Sequence, residues 1–421
     1  MTKRKVKPFT LFLILFSLIF LIMYPIWIHS RMKKAPSQAK LPEWSGVIEI
    51  WDIPYVQTGK GSHIQWLKSC INNFERKHPG VFIDVRSVTP ERLNMYMFDD
   101  IDRDILPDMI SLDIYQQSVP ENLLEDLSPL FNQDDLAAFR EPALERVMSG
   151  ERMLGVAYMM GCYGLFINQD AFSNELDLGF GTTNNDDMDY ATMDLIARKN
   201  SFQIKSGKKN IDYYGFCTYA NASSRPLLSM IYQKDGKIRD NDAYRLFMEW
   251  MEEEQDIMPP DMESLSYSSA FRLFASEKRT GMLLGGSKVI YDMRNLQESG
   301  KGVEYQVYPL PLGGESGFYM DQIAAYGLLS QQNDKKKKLC ILFLKSLLQE
   351  EAQSRLKSIG MFSVRKDLNL YEDDAEMLVL EQSLDRIVSG PWGVNYKAIE
   401  NLWNNLFNKN EQIKNSENDY T

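Results

Sequence analysis

Histidine and cysteine are scarce in this chain, which has three histidines and four cysteines among 421 residues. The histidines lie beside an apolar segment, in a Gly-Ser loop and before a proline, so the sequence gives little support for histidine-based catalysis. The cysteines are spread too widely for a CxxC metal site, and the first and last of them lie in apolar helical patterns typical of buried thiols. These four residues are Cys70, Cys162, Cys217 and Cys340.

Motifs of the common enzyme classes are also missing. The chain has no GxSxG, HExxH or Walker-type glycine loop. Two acidic clusters, 99–104 and 184–189, lack the glycine and glutamate of an EF-hand loop and are interpreted as solvated acids. Paired carboxylates, which a glycosidase needs, are inevitable among 58 acidic residues and carry little information. The sequence therefore predicts no catalytic residue, no metal site and no cofactor.

Positive charge is in the minority, with 47 basic against 58 acidic residues and a formal net charge of −11. Residues 1–34 contain seven basic side chains and no acid, which leaves 40 basic and 58 acidic side chains, or −18, for the rest. A surface this acidic repels phosphate backbones, so nucleic acid is excluded as an expected partner. The length and the 44% hydrophobic content suffice for two or three folded domains.

One long apolar run stands near the amino terminus. Residues 9–28 carry no charge, and as a helix they would span roughly 30 Å, the thickness of a hydrocarbon core. The basic residues before this run indicate a cytoplasmic start and an extracellular body. A cleaved signal remains an alternative, but Ser37-Gln38-Ala39 is a poor cleavage site, so an uncleaved membrane anchor is favoured.

The remainder opens with a strand, a helix and a second strand. Alternation predicts strands at 47–51 and 81–85, and apolar residues at helical spacing predict a helix within 63–78. Such a unit is typical of parallel sheets. Asn333-Asp334 is a good helix cap before four lysines, which are interpreted as a solvated first turn. Further strands are predicted near 107–113, 154–158, 164–167, 281–284 and 303–308, and further helices near 190–200, 241–256, 264–276 and after 335.

Aromatic and short polar residues recur near predicted strand ends. Because ligands of open α/β sheets lie at the carboxyl ends of the strands, these residues are candidates for a binding site. Aromatic faces pack on the apolar faces of sugar rings, and carboxylates and amides accept or donate hydrogen bonds to hydroxyls. The mixture favours a neutral polyol. The alternative for each single aromatic residue is core packing.

The order of eight segments resembles that of extracellular solute-binding proteins (family 1) of carbohydrate ABC transporters, akin to maltose-binding protein. The resemblance runs from about Val47 to Trp403. The segments are WLKSCINNFERKHPGVFIDV, LPDMISLD, LLEDLSPLF, GVAYMMGCYGLFINQDAF, DYYGF, AFRLFASEKRTGMLLGG, VYPLPLGG and LCILFLKSLLQEEAQSRLKSIGMFSVRKD.

What the resemblance implies is an α/β, two-lobed, clamshell fold of the periplasmic-binding-protein type, with three crossings between the lobes and an N-terminal transmembrane segment. Residues 1–34 would be the membrane anchor or uncleaved signal and 35–45 a linker. The first lobe would hold 46–157 and 318–345. The second lobe would hold 160–313 and 350–421.

The same resemblance places ligand-binding residues in the cleft between the lobes. They come from the loop after the first strand, the strand after the Pro-Asp motif at 107–108, and the first crossing. The others come from the Gly-rich segment, which ends in Gly285-Gly286, and from a late Trp-Gly at 392–393. Many relatives carry an aromatic residue directly after these glycines, where this chain has Ser287-Lys288. The corresponding positions are Trp51, Asp52, Asp113, Tyr163, Gly286, Ser287 and Trp392.

The leading hypothesis is a non-enzymatic, surface-exposed protein that captures a neutral mono- or oligosaccharide and presents it to the membrane subunits of an ABC transporter. The bulk of the chain would be extracellular and held at the cell membrane through residues 9–28. One alternative keeps the fold and makes the protein a membrane-tethered sensor for a signalling kinase. Another is an anchored polysaccharide-active enzyme.

Overall fold

The chain divides into two compact units, 1–45 and 46–421. The structure, a computed structural model, describes residues 44–53, 60–98, 106–112, 119–169, 188–220, 226–231, 242–252, 256–311, 318–320, 323–330 and 332–389, with Asn404 and Phe407. The predicted membrane segment at 9–28 lies outside these residues. Within them, no helix combines the length and apolarity that a membrane crossing needs.

The described chain contains both strands and helices throughout. The strands are β1 Gly46–Asp52, β2 Val81–Ser87, β3 Met109–Ser111, β4 Met148–Ser149, β5 Arg152–Met153, β6 Val156–Met160, β7 Tyr163–Asn168, β8 Phe202–Ser206, β9 Lys209–Cys217, β10 Thr280–Gly286, β11 Tyr305–Pro309, β12 Phe318–Met320, β13 Ile323–Leu328 and β14 Ile387–Ser389. The α-helices are α1 His63–Lys77, α2 Pro90–Phe98, α3 Gln133–Ala137, α4 Glu141–Glu145, α5 Tyr190–Lys199, α6 Leu228–Ile231, α7 Asp242–Glu252, α8 Tyr267–Phe271, α9 Lys288–Glu298, α10 Asp334–Leu347, α11 Glu350–Ser354 and α12 Ala375–Gln382.

Two five-stranded sheets organise these elements. The first has the order β2-β1-β3-β13-β6, in which β1 is parallel to β2 and β3, and β13 is antiparallel to β3 and β6. The second has the order β11-β7-β10-β9-β8, in which β10 is parallel to β9 and antiparallel to β7. Because each sheet is covered by its own helices, the predicted α/β, two-lobed fold is confirmed.

The chain passes between the two sheets three times. It leaves β6 and enters β7 through only Gly161 and Cys162, and it returns between β11 and β13. The third passage lies between α10 and α12. Helix α10 packs on α1 beside the first sheet, and α12 packs on β11 of the second sheet. The exact lobe boundaries stay a prediction.

Sequence patterns explain the helices that frame the first sheet. Helix α1 buries Trp66, Leu67, Ile71 and Phe74 on one face, and the positive φ of Gly80 follows its end. The ring of Phe74 meets that of Phe343 edge to face at 5.3 Å, which joins α1 to α10. All four cysteines are buried free thiols, as their apolar surroundings predict.

Helix α10 begins at the predicted cap. The side chain of Asn333 accepts hydrogen bonds from the backbone N–H groups of Lys335 and Lys336, each at 3.1 Å. The lysine run is less solvated than predicted, because the Nζ atoms of Lys336 and Lys337 each lie 2.7 Å from a carboxylate oxygen, of Asp108 and Glu125 respectively.

The packing of β9 against α5 depends on a glycine. A Cβ atom added at Gly215 would lie 2.0 Å from the carbonyl oxygen of Ala197. We expect Gly215→Ala to lower the free energy of unfolding by about 3 kcal/mol or more, because a helix backbone cannot move aside cheaply. Urea denaturation measures this loss.

Gly207→Ala is the matched control. Gly207 has a φ of +65° but no atom within 4 Å of an added Cβ, so the same substitution should cost only about 1 kcal/mol. Equal losses in the two variants would contradict the close approach of β9 and α5.

Candidate functional site

The carboxyl ends of β1 and β3 lie side by side in the first sheet and carry polar side chains. Strand β1 ends at Asp52, which has no exposed surface, and β3 ends at the buried Ser111. The backbone N–H of Ile53 donates a hydrogen bond to Ser111 Oγ at 3.3 Å. The sheet therefore places a buried carboxylate at the edge where ligands of α/β folds bind.

Two further side chains lie beside the Asp52 carboxylate, and a third contacts one of them. The hydroxyl of Tyr326 donates a hydrogen bond to Asp52 Oδ1 at 2.6 Å. The Nδ1 atom of His63, the first residue of α1, lies 3.7 Å from Asp52 Oδ2. The Nε2 atom of the same imidazole is 2.9 Å from the hydroxyl oxygen of Tyr158. One buried network thus connects β1, β6, β13 and α1.

Aromatic stacking encloses this network. The ring of Tyr158 lies 4.7 Å from that of Tyr326 and 5.4 Å from that of Trp66, with interplanar angles of 18° and 9°. The indole N–H of Trp66 donates to the carbonyl oxygen of Ala352 at 2.9 Å. Stacked rings with paired polar tips form a rigid floor for the first lobe.

Burial shifts the pKa values of Asp52 and His63. Loss of solvation raises the pKa of the Asp52 carboxyl, while the nearby His63 and the hydrogen bonds from Tyr326 and Ser111 lower it. Loss of solvation also lowers the pKa of His63, against the pull of Asp52. The imidazole is therefore neutral at neutral pH.

Trp51 is also buried, with 5% of its surface exposed, and its ring lies 4.9 Å from that of Tyr96. Trp51 and Asp52 are adjacent in sequence, yet neither presents its side chain to solvent in this conformation. Their predicted contact with a ligand stays a prediction.

In the second sheet, the structure brings two predicted residues together. Tyr163, at the start of β7, faces Gly286, at the end of β10, in the antiparallel register. Ser287 follows directly, is fully buried, and donates a hydrogen bond from Oγ to the carbonyl oxygen of Gly360 at 2.7 Å. Gly360 has a φ of +73°, which favours glycine at this turn.

The end of β6, just before the first passage, is hydrogen-bonded to the third passage. The N–H of Met160 donates to the carbonyl oxygen of Phe362 at 3.1 Å, and the N–H of Phe362 donates to that of Met160 at 2.9 Å. Gly61 lies against the same segment, since an added Cβ would be 2.8 Å from the Cα atom of Ile359. These contacts bring the region after β1 and the Gly-rich segment to one place.

Lys288 is not a free cation. Its Nζ atom lies 3.1 Å from Asp292 and 5.2 Å from the centre of the Tyr267 ring. The Tyr267 hydroxyl donates to Asp292 at 2.7 Å, and the same ring meets Tyr219 edge to face at 5.2 Å. The rings of Tyr219 and Tyr267 therefore lie beside the Gly-rich segment. The chain has Ser287 directly after these glycines, where many relatives carry an aromatic residue.

Sequence reasoning missed most of these partners. Tyr326, Tyr219 and Tyr267 belong to elements that are distant along the chain, and the Gly-Ser context of His63 predicts only a loop residue. Two predicted ligand residues, Asp113 and Trp392, lie outside the described residues. Within the described ranges, no group of three or more His, Cys, Asp or Glu side chains could hold a metal ion.

Comparison with known proteins defines the fold. Neither a protein-family model nor a curated sequence matches the chain. Among solved structures, the maltotriose-bound maltose/maltodextrin-binding domain MalE of Bdellovibrio bacteriovorus is 15% identical, with a TM-score of 0.58 over 87% of this chain and 94% of that one. The maltose-bound MalE3 of T. maritima is 17% identical, with a TM-score of 0.59 over 86% and 98%.

A third structure extends the comparison. An ABC substrate-binding protein of Listeria monocytogenes in complex with cycloalternan is 14% identical, with a TM-score of 0.58 over 86% of this chain and 98% of that one. The chain therefore has the fold of maltose-binding-type solute-binding proteins, as its segment order predicts. At these identities, the similarity concerns the fold.

The Asp52–His63 pair predicts a pH dependence of stability. Because the pKa of His63 is lower in the folded state, the unfolded chain takes up the proton first, and stability is lost as the pH falls below about 6.5. We expect the stability advantage of the wild type over His63→Gln to shrink by up to about 1.4 kcal/mol per pH unit below that value. Urea denaturation between pH 7.5 and 5.5 measures it.

His78→Gln is the control for this experiment. Burial and Lys77 also lower the pKa of His78, but its side chain is only partly buried. Replacing His78 should change the slope of the unfolding free energy against pH less than replacing His63 does. A parallel pH profile for wild type and His63→Gln would contradict a neutral, buried imidazole.

Proposed function

We propose that the protein is a substrate-binding protein that captures a mono- or oligosaccharide between its two lobes and delivers it to an ABC transporter. The observation that carries the proposal is the similarity over 83–88% of the chain to structures that are described as sugar-binding or sugar-transport proteins. Their role is binding rather than catalysis, so the proposed role is non-enzymatic.

The connections between the sheets support a closing motion. Met160, at the end of β6, exchanges backbone hydrogen bonds with Phe362 in the third passage, and torsion changes in the short connections beside this pair would let the lobes rotate. At the rim, the Nζ atom of Lys60 lies 5.0 Å from the ring centre of Tyr291 in α9. A sugar held between the lobes would favour the closed state by contacting both.

All seven predicted positions are kept in the proposed site. The buried Trp51, Asp52 and Tyr163 would shape and support it, and Gly286 would allow close approach of the ligand to the backbone. The Tyr219–Tyr267 pair supplies aromatic surface next to the Gly-rich segment. The full set is Trp51, Asp52, Asp113, Tyr163, Gly286, Ser287 and Trp392.

Residues 1–34 are proposed to hold the protein at the cell membrane, with 35–45 as a linker and the bulk of the chain extracellular. The support is the uncharged run at 9–28 and the basic residues before it. The proposed lobes are 46–157 with 318–345 and 160–313 with 350–421. A sensor for a kinase and a polysaccharide-active enzyme are not favoured by the comparisons.

A panel of sugars tests the proposal. The full-length protein is placed in phospholipid nanodiscs, which avoid the sugar headgroups of maltoside detergents, and its unfolding is followed by tryptophan fluorescence. Maltose, maltotriose or cycloalternan at about 100 times its dissociation constant should stabilise the protein by about 2.7 kcal/mol. Stabilisation by peptides or polyamines, and by none of a wide range of sugars, would overturn the assignment.

Trp392 is the position for a sharper test. We expect Trp392→Ala to weaken sugar binding about tenfold or more with little change in stability, because truncating a central aromatic contact typically costs over 1 kcal/mol of binding. Calorimetric titration and urea denaturation measure the two effects.

Trp66→Ala is the contrasting variant. Trp66 is 3% exposed and part of the first-lobe core, so its loss should cost about 3–5 kcal/mol of stability. If Trp392→Ala behaved in the same way without ligand, Trp392 would be a core residue.

A further inference from the structure

An exposed hairpin forms the edge of the second sheet. Strands β8 and β9 pair so that Phe202 faces Tyr213 and Ile204 faces Ile211. The rings of Phe202 and Tyr213 stack at 4.7 Å with an interplanar angle of 14°. Phe202 and Ile204 are each 45% exposed. One face of the hairpin is therefore apolar and open to solvent.

The tip of the same hairpin is basic. Residues 199–211 contain four lysines and no acidic residue, in a body whose net charge is −18. Lys205, Lys208 and Lys209 surround the turn at Gly207 and are exposed. Within the described part of the chain, these three form no ion pair. The tip is thus a cluster of uncompensated positive charge on an acidic protein.

Protection of a sheet edge explains only part of this arrangement. Lysines on an edge strand discourage pairing with another chain. However, two of the three tip lysines lie at the turn or beyond it, and the apolar face remains exposed. Apolar side chains next to clustered lysines are the combination that binds at the interface of an anionic bilayer.

We propose that the β8–β9 hairpin docks on an anionic phospholipid surface, with the tip lysines at the headgroups and Phe202 and Ile204 at the interface. The inference rests on the proposed membrane attachment. In the sequence, the proposed anchor at 9–28 and strand β1 are separated only by residues 29–45, so the proposed attachment involves a short linker. Charge complementarity selects anionic lipid as the occupant, because neutral headgroups leave the lysines uncompensated.

The test uses the full-length protein with a fluorescent reporter at the tip of the β8–β9 hairpin. Ser206→Cys is labelled with an environment-sensitive fluorophore, since the four native cysteines are buried. The protein is reconstituted into phosphatidylcholine vesicles with or without about 30 mol% phosphatidylglycerol, each containing lipid with a nitroxide quencher. We expect quenching only in the anionic vesicles, and its loss as salt rises from about 0.05 M to about 0.5 M.

The lysines are tested as a group. Each lysine near an anionic surface contributes about fivefold to binding, so Lys205→Gln, Lys208→Gln and Lys209→Gln together should lower the ratio of docked to undocked hairpin roughly 100-fold. The control changes three exposed lysines elsewhere, Lys68→Gln, Lys301→Gln and Lys366→Gln. It should change that ratio less than about twofold.

Equal quenching in neutral and anionic vesicles, or full quenching in the tip variant, would overturn the proposal. Quenching or a spectral change that requires an added transport subunit would identify a protein partner and overturn it as well. Sugar titration of the same samples keeps the two hypotheses separate. Stabilisation by sugar without docking refutes only the lipid contact, and docking without stabilisation by any sugar refutes only the transport role.

Discussion

The backbone hydrogen bonds between Met160 and Phe362 are the interaction on which the two-sheet arrangement depends. A chain that passes between two sheets leaves both ladders, and its buried N–H and C=O groups must find partners there. Met160, at the end of β6, and Phe362, in the third passage, satisfy each other, and Ser287, next to the end of β10, satisfies the carbonyl of Gly360. Elements of both sheets thus bond to the third passage, at the place of the proposed hinge.

The Asp52 network has a different role, since it joins elements of the first sheet on one side of the proposed hinge. Burying a carboxylate without partners costs far more free energy than a surface charge. Here Tyr326 donates to the carboxylate and His63 lies beside it, so the ends of β1, β13 and α1 are held in one arrangement. Such a network is more costly to deform than an apolar contact. In the proposed function, this network would favour rotation of the lobes over local rearrangement when a ligand binds.

Much of the fold could be predicted because local pattern and tertiary role agree. Strand β1 alternates, α1 has one apolar face and a Pro-Gly stop, and both lie where the sequence places them. The hairpin β8–β9 was missed, although Phe202 and Ile204 alternate before a glycine turn. The partners of Asp52 could not be predicted from one sequence, because Tyr326 is 274 positions away and only the sheet order brings it close.

Charge and burial differ between the region beside the Gly-rich segment and the edge hairpin β8–β9. Beside the Gly-rich segment, the Lys288 ammonium is paired with the Asp292 carboxylate and lies over the Tyr267 ring, so this pair adds aromatic surface and little net charge to the proposed site. That balance suits a neutral sugar better than an anionic one. On the edge hairpin, the exposed Lys205, Lys208 and Lys209 form no ion pair within the described residues. Because an unpaired charge is cheap only where solvent or an opposite charge can reach it, the proposed lipid contact of these lysines is separate from the proposed binding of a sugar.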